Sequence, residues 1–515
     1  MAWRKVANLT HKRLTVSLLR SLFSAFKKRK QNIPNPATYF DASYYLATYP
    51  DVSAAKMDPW QHFYNHGYSE GRWPCVLTAV QVESGLWEAE SQAAEQALLS
   101  LLNSSNTAEK TSAAWFLSRW YASKENWVKV VEILPTHIQS EMPIPGLMGP
   151  KLLWAEALRQ TKPEDAKLYV QQLEQRYGRR VDLSLMQMNI EPASLDKSWW
   201  QPLNTHYQQA GLVEVVARNG EHTAFDGLEG TSSTVDAQID SKSGLVSVIV
   251  PAYNAEKTIG TALRGLVQQS WPFLEVIVVD DASTDGTVAV VEKWVQQDAR
   301  IRLLKQPTNQ GAYITRNVGL NQSNGDYITV HDSDDWSHPQ KIEQQILPLL
   351  ENNRLKGTLS HWVRTTEELR FGSWNSPEDW NGLVHRNVSS LLIRRKVYEQ
   401  LGYWDSVVCS ADTEYYYRIM VAYGAQALQE VQSGLPLAFG RVREGSLTQR
   451  SETHVFSIFS GLRYDYKEAY QNWHQSSTSI AQLYMSQHPD RRPFAVSSNI
   501  LPLVNQDGKE KEVVL

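Results

Sequence analysis

Apolar and polar positions follow two different rhythms along the chain. Over residues 79–218 the apolar positions recur every three to four residues, the spacing of one face of a helix. From residue 245 the rhythm changes to short, nearly unbroken apolar runs separated by helical stretches. Leu245-Val246-Ser247-Val248-Ile249-Val250 and Leu274-Glu275-Val276-Ile277-Val278-Val279 are such runs, and shorter ones follow at 301–304 and 327–330. Runs of this kind are expected of strands buried on both faces. The stretches between them, 255–269, up to 297, and around Arg316-Asn317, read as helices. This βαβαβαβ alternation predicts an α/β fold with a doubly wound, mainly parallel sheet, preceded by an all-α region.

The first half divides further. Residues 1–33 form a basic arm: residues 1–40 contain no Asp or Glu, and Leu14, Leu18, Leu22 and Phe26 recur at helical spacing among Arg and Lys. A basic amphipathic helix of this type is expected to contact an anionic membrane surface through residues 1–30. Residues 34–78 read as a small helical module rich in Tyr, His, Asp and Gly, in which His62 and His66 are expected to pack or cap rather than bind metal. Within 79–218, Ala114-Trp115-Phe116-Leu117 with Trp127-Val128-Lys129-Val130-Val131 echoes Leu153-Trp154-Ala155-Glu156-Ala157-Leu158 with Ala166-Lys167-Leu168-Tyr169-Val170. The period is somewhat longer than a tetratricopeptide unit and predicts a degenerate array of helical hairpins, a spacer or a protein-docking surface. Residues 219–243, rich in Gly, Ser, Thr and Asp, read as a linker. Residues 244–450 form the α/β domain, and 451–515 a helical extension and tail.

Composition narrows the classes. The 515 residues exceed one core, and a formal charge of −4 argues against a nucleic-acid partner for the chain as a whole. Cys75 and Cys409 are the only cysteines, which excludes a disulfide framework and fits a reducing compartment. No apolar run approaches the ~18 residues that cross a bilayer. The expected location is cytoplasmic, peripheral at the inner face of the cell membrane.

The chemistry clusters where the apolar runs end. The last run leads into His331-Asp332-Ser333-Asp334-Asp335-Trp336. Three carboxylates so close repel unless a cation neutralises them, and a hard divalent ion with a phosphate-bearing substrate does so. Upstream, the runs end in Pro251-Ala252-Tyr253-Asn254 and in Asp280-Asp281-Ala282-Ser283. All these clusters converge on one edge of the sheet. Together they suit a sugar nucleotide: Tyr253 to stack on a base, Asp281 to accept from a base N–H, Asp280 to hold a ribose hydroxyl or a neighbouring backbone group, Arg316 to offset a diphosphate, and Asp334 with Asp332 or Asp335 to hold a metal. A dinucleotide oxidoreductase fits less well, since the first run lacks Gly-x-Gly-x-x-Gly.

These residues resemble, in order and spacing, the nucleotide-binding half of a family 2 glycosyltransferase with the GT-A fold. The matching pieces are Ser247 to Asn254, Val279 to Thr287, Asn309-Gln310-Gly311, Thr315-Arg316-Asn317 and Asp332-Ser333-Asp334-Asp335, the last with Ser where Ala is commoner. The resemblance implies a nucleotide-diphospho-sugar donor, with a UDP-sugar favoured, Mn²⁺ or Mg²⁺, and inversion at the anomeric carbon. It puts Asp334 at the metal, Asp332 on the ribose or metal side, and Pro251, Ala252, Tyr253, Asn254, Asp280, Asp281, Arg316, Asp332, Ser333 and Ser389 around the donor. Inverting transfer also needs a carboxylate to take the acceptor proton. The segment Ser410-Ala411-Asp412-Thr413-Glu414 resembles the family's base motif and aligns Asp412 with the base, although Ala411 replaces the usual Glu. Glu414 is the rival base. Alternatively, Asp412 caps a helix on which Glu414 and Arg418 pair. His474 is expected to be structural. The function expected is transfer of a sugar to a glycan or lipid-linked acceptor in bacterial surface polysaccharide synthesis. The alternative is a non-catalytic sugar-nucleotide or glycan-binding scaffold.

Overall fold

The computed structural model describes residues 39–49, 52–53, 56–67, 72–87, 91–138, 148–218, 220–231, 244–372, 374, 382–442, 461–487 and 492–502. The basic arm, most of the linker, the segment 443–460 and the tail beyond 502 lie outside them. The described residues group into two compact units, the first running up to Leu77 with residues 106–108, the second holding the rest.

The first unit is built on aromatic packing. Asp41 caps the helix Ala42–Thr48 by accepting from Tyr44 N at 2.9 Å, and Asp58 caps Pro59–His62 by accepting from Gln61 N at 2.8 Å. Each cap satisfies an otherwise orphaned N–H of the first turn. Phe40 lies against Tyr45, Trp60 and Phe63, with ring centroids 5.1–5.5 Å apart. His62 packs inside this cluster, its Nδ1 2.9 Å from Tyr45 Oη. The His66 side chain lies outside the described atoms.

In the second unit the two echoing stretches fall on the helices Thr107–Ser123 with Trp127–Ile133, and Gly149–Thr161 with Pro163–Tyr177. Val181–Ile190 and Lys197–Gln209 follow, the latter capped by Asp196 at 2.9 Å from Trp199 N. This region does not stand apart from the α/β domain. Asn189 exchanges two 2.7 Å hydrogen bonds with the backbone of Phe371, Asp182 accepts from Leu383 N at 2.8 Å, and Tyr207 Oη donates to Pro436 O at 2.6 Å. The helical region expected to be a spacer or docking surface is thus joined to the chain's own sheet domain through its last two helices.

The first half of the expected linker is also structured. Strand β1 (Val215–Ala217) pairs antiparallel with β2 (Leu228–Gly230), across a turn that carries Asp226. Gly, Ser and Asp enrichment suits the connecting loop of a hairpin as well as a flexible linker, so composition did not separate the two.

The α/β domain follows the predicted alternation: β3 (Val246–Ala252), helix Ile259–Val267, β4 (Leu274–Asp280), helix Thr287–Gln297, β5 (Ile301–Lys305), helix Ala312–Asn321 and β6 (Tyr327–Val330). Further on come β7 (Trp336–Ser337), helix Lys341–Glu351, β8 (Gly357–Thr365), β9 (Val384–Arg394), helix Ala411–Tyr423, β10 (Leu428–Glu430), β11 (Pro436–Arg441) and helix Leu462–Ser476. The sheet order is β5-β4-β3-β6-β9-β8-β11-β7, with β10 beside β8. The four strands β5, β4, β3 and β6 are mutually parallel, and β9 pairs antiparallel with both β6 and β8. Every residue of β4 and β6 is buried, which explains their nearly unbroken apolar runs. Gly319 allows the helix Ala312–Asn321 to press on β3: a Cβ there would lie 2.5 Å from Ile249 Cγ2. That close approach brings the helix's other side chains to the site.

Candidate active site

The acidic turn is pinned at both ends. His331 N donates to Ile249 O at 2.9 Å where β6 leaves the parallel half, and the turn then enters β7, whose Trp336 lies opposite Phe439 of β11. Residues 332–335 therefore bridge the two halves of the sheet. Their carboxylates have different surroundings. Asp332 is half-buried and accepts from Arg316 Nη2 at 2.8 Å. Burial opposes its charge, but Arg316 and then His331 outweigh that and hold Asp332 below the usual carboxylate range. Asp334 is half-buried, and its carbonyl accepts from Arg441 Nε at 3.2 Å. Asp335 is buried, and its Oδ1 accepts from Arg441 N at 3.0 Å. Burial, then Asp334 and Asp332, push Asp335 well above the usual range. Ser333 lies half-buried between them.

A polar pocket with room for about one water lies under this turn, lined by His331, Asp332, Asp335, Ser337, Lys341 and Ser389. Burial lowers the Lys341 ammonium to about 8, while Asp335 and Asp332 pull the other way. Its Nζ is 3.2 Å from Ser337 Oγ. Among the described residues no three or more His, Cys, Asp or Glu side chains are grouped to hold a metal.

The ends of β3 and β4 bind each other. Asn254 N donates to Ser283 Oγ at 2.9 Å, and Asn254 Oδ1 accepts from Thr284 N at 2.9 Å. Asn254 and Ala282 both take positive φ, 47° and 60°, to bring the two turns together. Asn254 thus serves to join two loops, although the sequence pattern placed it on substrate. Pro251 is half-buried and Ala252 buried beneath this junction, while Tyr253 is 44% exposed at its rim. Asp280 and Asp281 are both buried. Asp281, expected on a nucleobase, accepts from Gln306 Nε2, Gln310 N and Gly311 N, each at 2.8 Å. It anchors the turn into the helix Ala312–Asn321, and burial raises its pKa. Asp280 Oδ2 accepts from Ser283 N at 3.2 Å, but its buried Oδ1 has no partner. Buried acceptors are rarely left without a donor.

Across the edge stands Asp412. Its Oδ1 accepts from Tyr313 Oη and Thr413 N at 2.9 and 2.8 Å, and its Oδ2 from Ser389 Oγ at 3.2 Å. Ser389, aligned by the family pattern with the donor sugar, spends its hydroxyl proton on Asp412. Glu414 has a different place. It is fully buried and forms a two-pronged pair with Arg418, at 2.9 and 2.7 Å, while His474 Nε2 lies 2.8 Å away. Burial works against its charge, but Arg418 and then His474 hold its pKa below the ordinary value. A carboxylate with no exposed surface and two cationic or hydrogen-bonding neighbours cannot meet an acceptor hydroxyl, which leaves Asp412 as the accessible carboxylate of the segment. The Glu414–Arg418 pair and the structural His474 are as the sequence suggested.

Residues 247–411 match the model of the family described as Glycosyl transferase family 2. Residues 247–411 form a family 2 glycosyltransferase domain. An uncharacterized glycosyltransferase of Haemophilus influenzae is 39% identical over 109 residues, covering 21% of this chain and 44% of the relative. Glycosyltransferase GlyG of Streptococcus pneumoniae serotype 4 is 38% identical over 101 residues, 20% of this chain and 34% of that protein. The chain thus spans less than half the length of these curated relatives. Crystalline S. aureus TarS with UDP matches 38% of this chain and 60% of its own at 23% identity and a TM-score of 0.32, a likeness that carries no further argument.

Three residues of the glycosyltransferase domain and its surroundings escaped the sequence reading. Tyr313 lies three positions before Arg316, and that spacing on one helix was the available signal. Arg441, buried at the end of β11, reaches Asp334, Asp335, Glu367 and Asp226 of the β1–β2 turn. Neither it nor Asp226 stands in any local pattern, because their partners are 106 and 215 residues away in sequence.

Proposed function

We propose that the chain is an inverting glycosyltransferase that moves a sugar from a nucleotide-diphosphate donor, a UDP-sugar by preference, to a hydroxyl of a glycan or lipid-linked acceptor, in bacterial surface polysaccharide synthesis. The observation that carries this reading is the pairing of two different carboxylate stations on one sheet edge. On one side are Asp332 and Asp334, near a half-exposed Tyr253 and the partnerless oxygen of Asp280. On the other is Asp412, half-buried and held by Tyr313 and Ser389. Tyr253 stacks on the base, and Asp280 Oδ1 accepts from the base or ribose. Asp412 takes the acceptor proton as the hydroxyl attacks the anomeric carbon in line, and the nucleoside diphosphate leaves on the opposite face.

The residues fit a divalent cation. Mn²⁺ or Mg²⁺ is commonly held by one or two carboxylates with the remaining positions filled by water and substrate phosphate, so the absence of a three-residue protein cage among the described residues is compatible with such an ion. Asp334 with Asp332 would hold it. Asp335, buried on Arg441 N, suits a supporting role better than coordination. When bound, the cation neutralises charge on the departing diphosphate. Arg316 adds positive charge to the same side. The described residues contain no helix long and apolar enough to cross a membrane, and contact with the inner membrane surface is assigned to residues 1–30.

The test is nucleotide-sugar binding and hydrolysis across a donor panel, with and without Mn²⁺, on the full chain and on Asp334→Ala. Metal-dependent binding of one donor that is lost in the variant supports the reading. Absence of binding to any donor under either condition refutes it.

A further inference from the structure

The helix Ala312–Asn321 touches both carboxylate stations through residues three apart. Arg316 Nη2 donates to Asp332 at 2.8 Å, and its guanidinium lies over the Tyr313 ring, 4.8 Å from the centroid. Tyr313 Oη in turn donates to Asp412 Oδ1 at 2.9 Å. Tyr313 is 6% exposed, so this hydroxyl is held in place by packing. We propose that Tyr313 is a positioning residue for the acceptor-activating carboxylate: its hydroxyl fixes the rotamer of Asp412 and leaves Oδ2 as the oxygen that takes the acceptor proton. The inference rests on the assignment of Asp412 as the base.

The lone-pair count supports it. A carboxylate has about four acceptor positions, two on each oxygen. Oδ1 receives Tyr313 Oη and Thr413 N, which fill both of its positions, whereas Oδ2 receives only Ser389 Oγ. One position remains, and it is on Oδ2. Burial, then the charge of Asp412, raises the Tyr313 phenol well above its ordinary value, so the hydroxyl stays protonated and remains a donor. Without it, Asp412 keeps only a backbone donor from its own helix turn on Oδ1 and the longer Ser389 bond on Oδ2, and is held less firmly about χ1 and χ2. Misplacing a catalytic group by about 1 Å costs on the order of a hundredfold in rate.

The experiment uses the full chain with Mn²⁺ and follows nucleotide release from UDP-glucose, UDP-N-acetylglucosamine and GDP-mannose, with kcat and donor KM measured on the fastest. Tyr313→Phe keeps the ring under Arg316 and removes only the hydroxyl. The expected result is a kcat roughly ten- to a hundredfold lower, with donor KM within about twofold of wild type and an unchanged melting temperature. Asp412→Asn is measured beside it. If Asp412→Asn is inactive and Tyr313→Phe keeps the wild-type kcat, or changes only KM, the inference is overturned while the base assignment stands. If Asp412→Asn keeps the wild-type kcat, or no donor of the panel is turned over, the base assignment fails and takes the inference with it. Should Tyr313→Phe lower the melting temperature, Tyr313→Trp, which keeps a ring and restores an N–H donor, separates the two roles. Partial recovery of kcat supports positioning, and a kcat as low as that of Tyr313→Phe refutes it.

Discussion

Asp412 and Glu414 are two residues apart on one helix, and the structure gives them opposite duties that a pair of isosteric substitutions separates. Glu414→Gln removes the charge that faces Arg418, whose side chain, like that of Glu414, has no exposed surface. Breaking a buried pair by neutralising one member costs about 3–5 kcal/mol, because the other charge is left uncompensated. Arg418 keeps carbonyl acceptors on Leu401 and Tyr403, at 2.7 and 2.9 Å, and lies over the Tyr415 ring, so the lower end, about 3 kcal/mol, is expected. That is a large share of the ~5–15 kcal/mol that a domain has in total. In Asp412→Asn the amide oxygen still accepts from Tyr313 and Thr413, the site is half-exposed, and the stability change should be about 1 kcal/mol or less. Activity should go the other way: loss of a general base lowers kcat by roughly a hundred- to ten-thousandfold, while Glu414→Gln, measured where it is folded, retains most of its turnover. Urea unfolding followed by tryptophan fluorescence reads the first quantity, and nucleotide release reads the second. A Glu414→Gln protein as stable as wild type but inactive, beside an active Asp412→Asn, would refute the assignment.

Three further outcomes follow from the geometry. Tyr253→Ala should raise donor KM roughly five- to a hundredfold with little change in kcat, since stacking of a base on an aromatic ring is worth about 1–3 kcal/mol; an unchanged KM in steady-state kinetics would place the base elsewhere. Asp226→Ala leaves the buried Arg441 with only the more exposed Glu367 as a carboxylate partner, so the urea midpoint should fall by the equivalent of about 3 kcal/mol, and donor affinity should fall with it because Arg441 N holds Asp335. His137 and His338 are lowered by burial to about 4 from 6.5. The neutral form of His338 is fixed on both nitrogens, with Nε2 3.0 Å from Val213 O and Nδ1 accepting from Gln340 N. Because the unfolded chain takes up a proton at each histidine below pH 6.5, their contribution is complete above 6.5 and is lost as pH falls toward 4. At pH 5 the loss should be about 2 kcal/mol per histidine, checked by comparing urea midpoints at pH 7.5 and 5 for wild type and His338→Gln.

The sequence by itself determined the parallel half of the domain and the edge on which the chemistry sits. Strands buried on both faces must be largely apolar, so β3, β4 and β6 announce themselves locally; β5, at the sheet edge with Arg302 and Lys305, is read from its place in the alternation, and the polar residues that follow these strands fall on the same edge. It also marked Asp332, Asp334 and Asp412 as candidates, and it marked the Glu414–Arg418 pair, because helix geometry alone puts residues four apart in contact. Tertiary structure decided what no local pattern encodes. Asp280 and Asp281 are adjacent and chemically identical, yet Asp281 takes donors from Gln306, Gln310 and Gly311 while Asp280 Oδ1 has none. Asp412 meets Tyr313 and Ser389 while Glu414 meets His474, three residues that come from separate elements. Composition could not tell that residues 220–231 pair back on β1 and bring Asp226 to Arg441, because that contact spans 215 residues. Spacing rules report neighbours within a turn or a strand; burial and charge pairing are set by which distant elements the packed core brings together, and those decide which carboxylates remain available for chemistry.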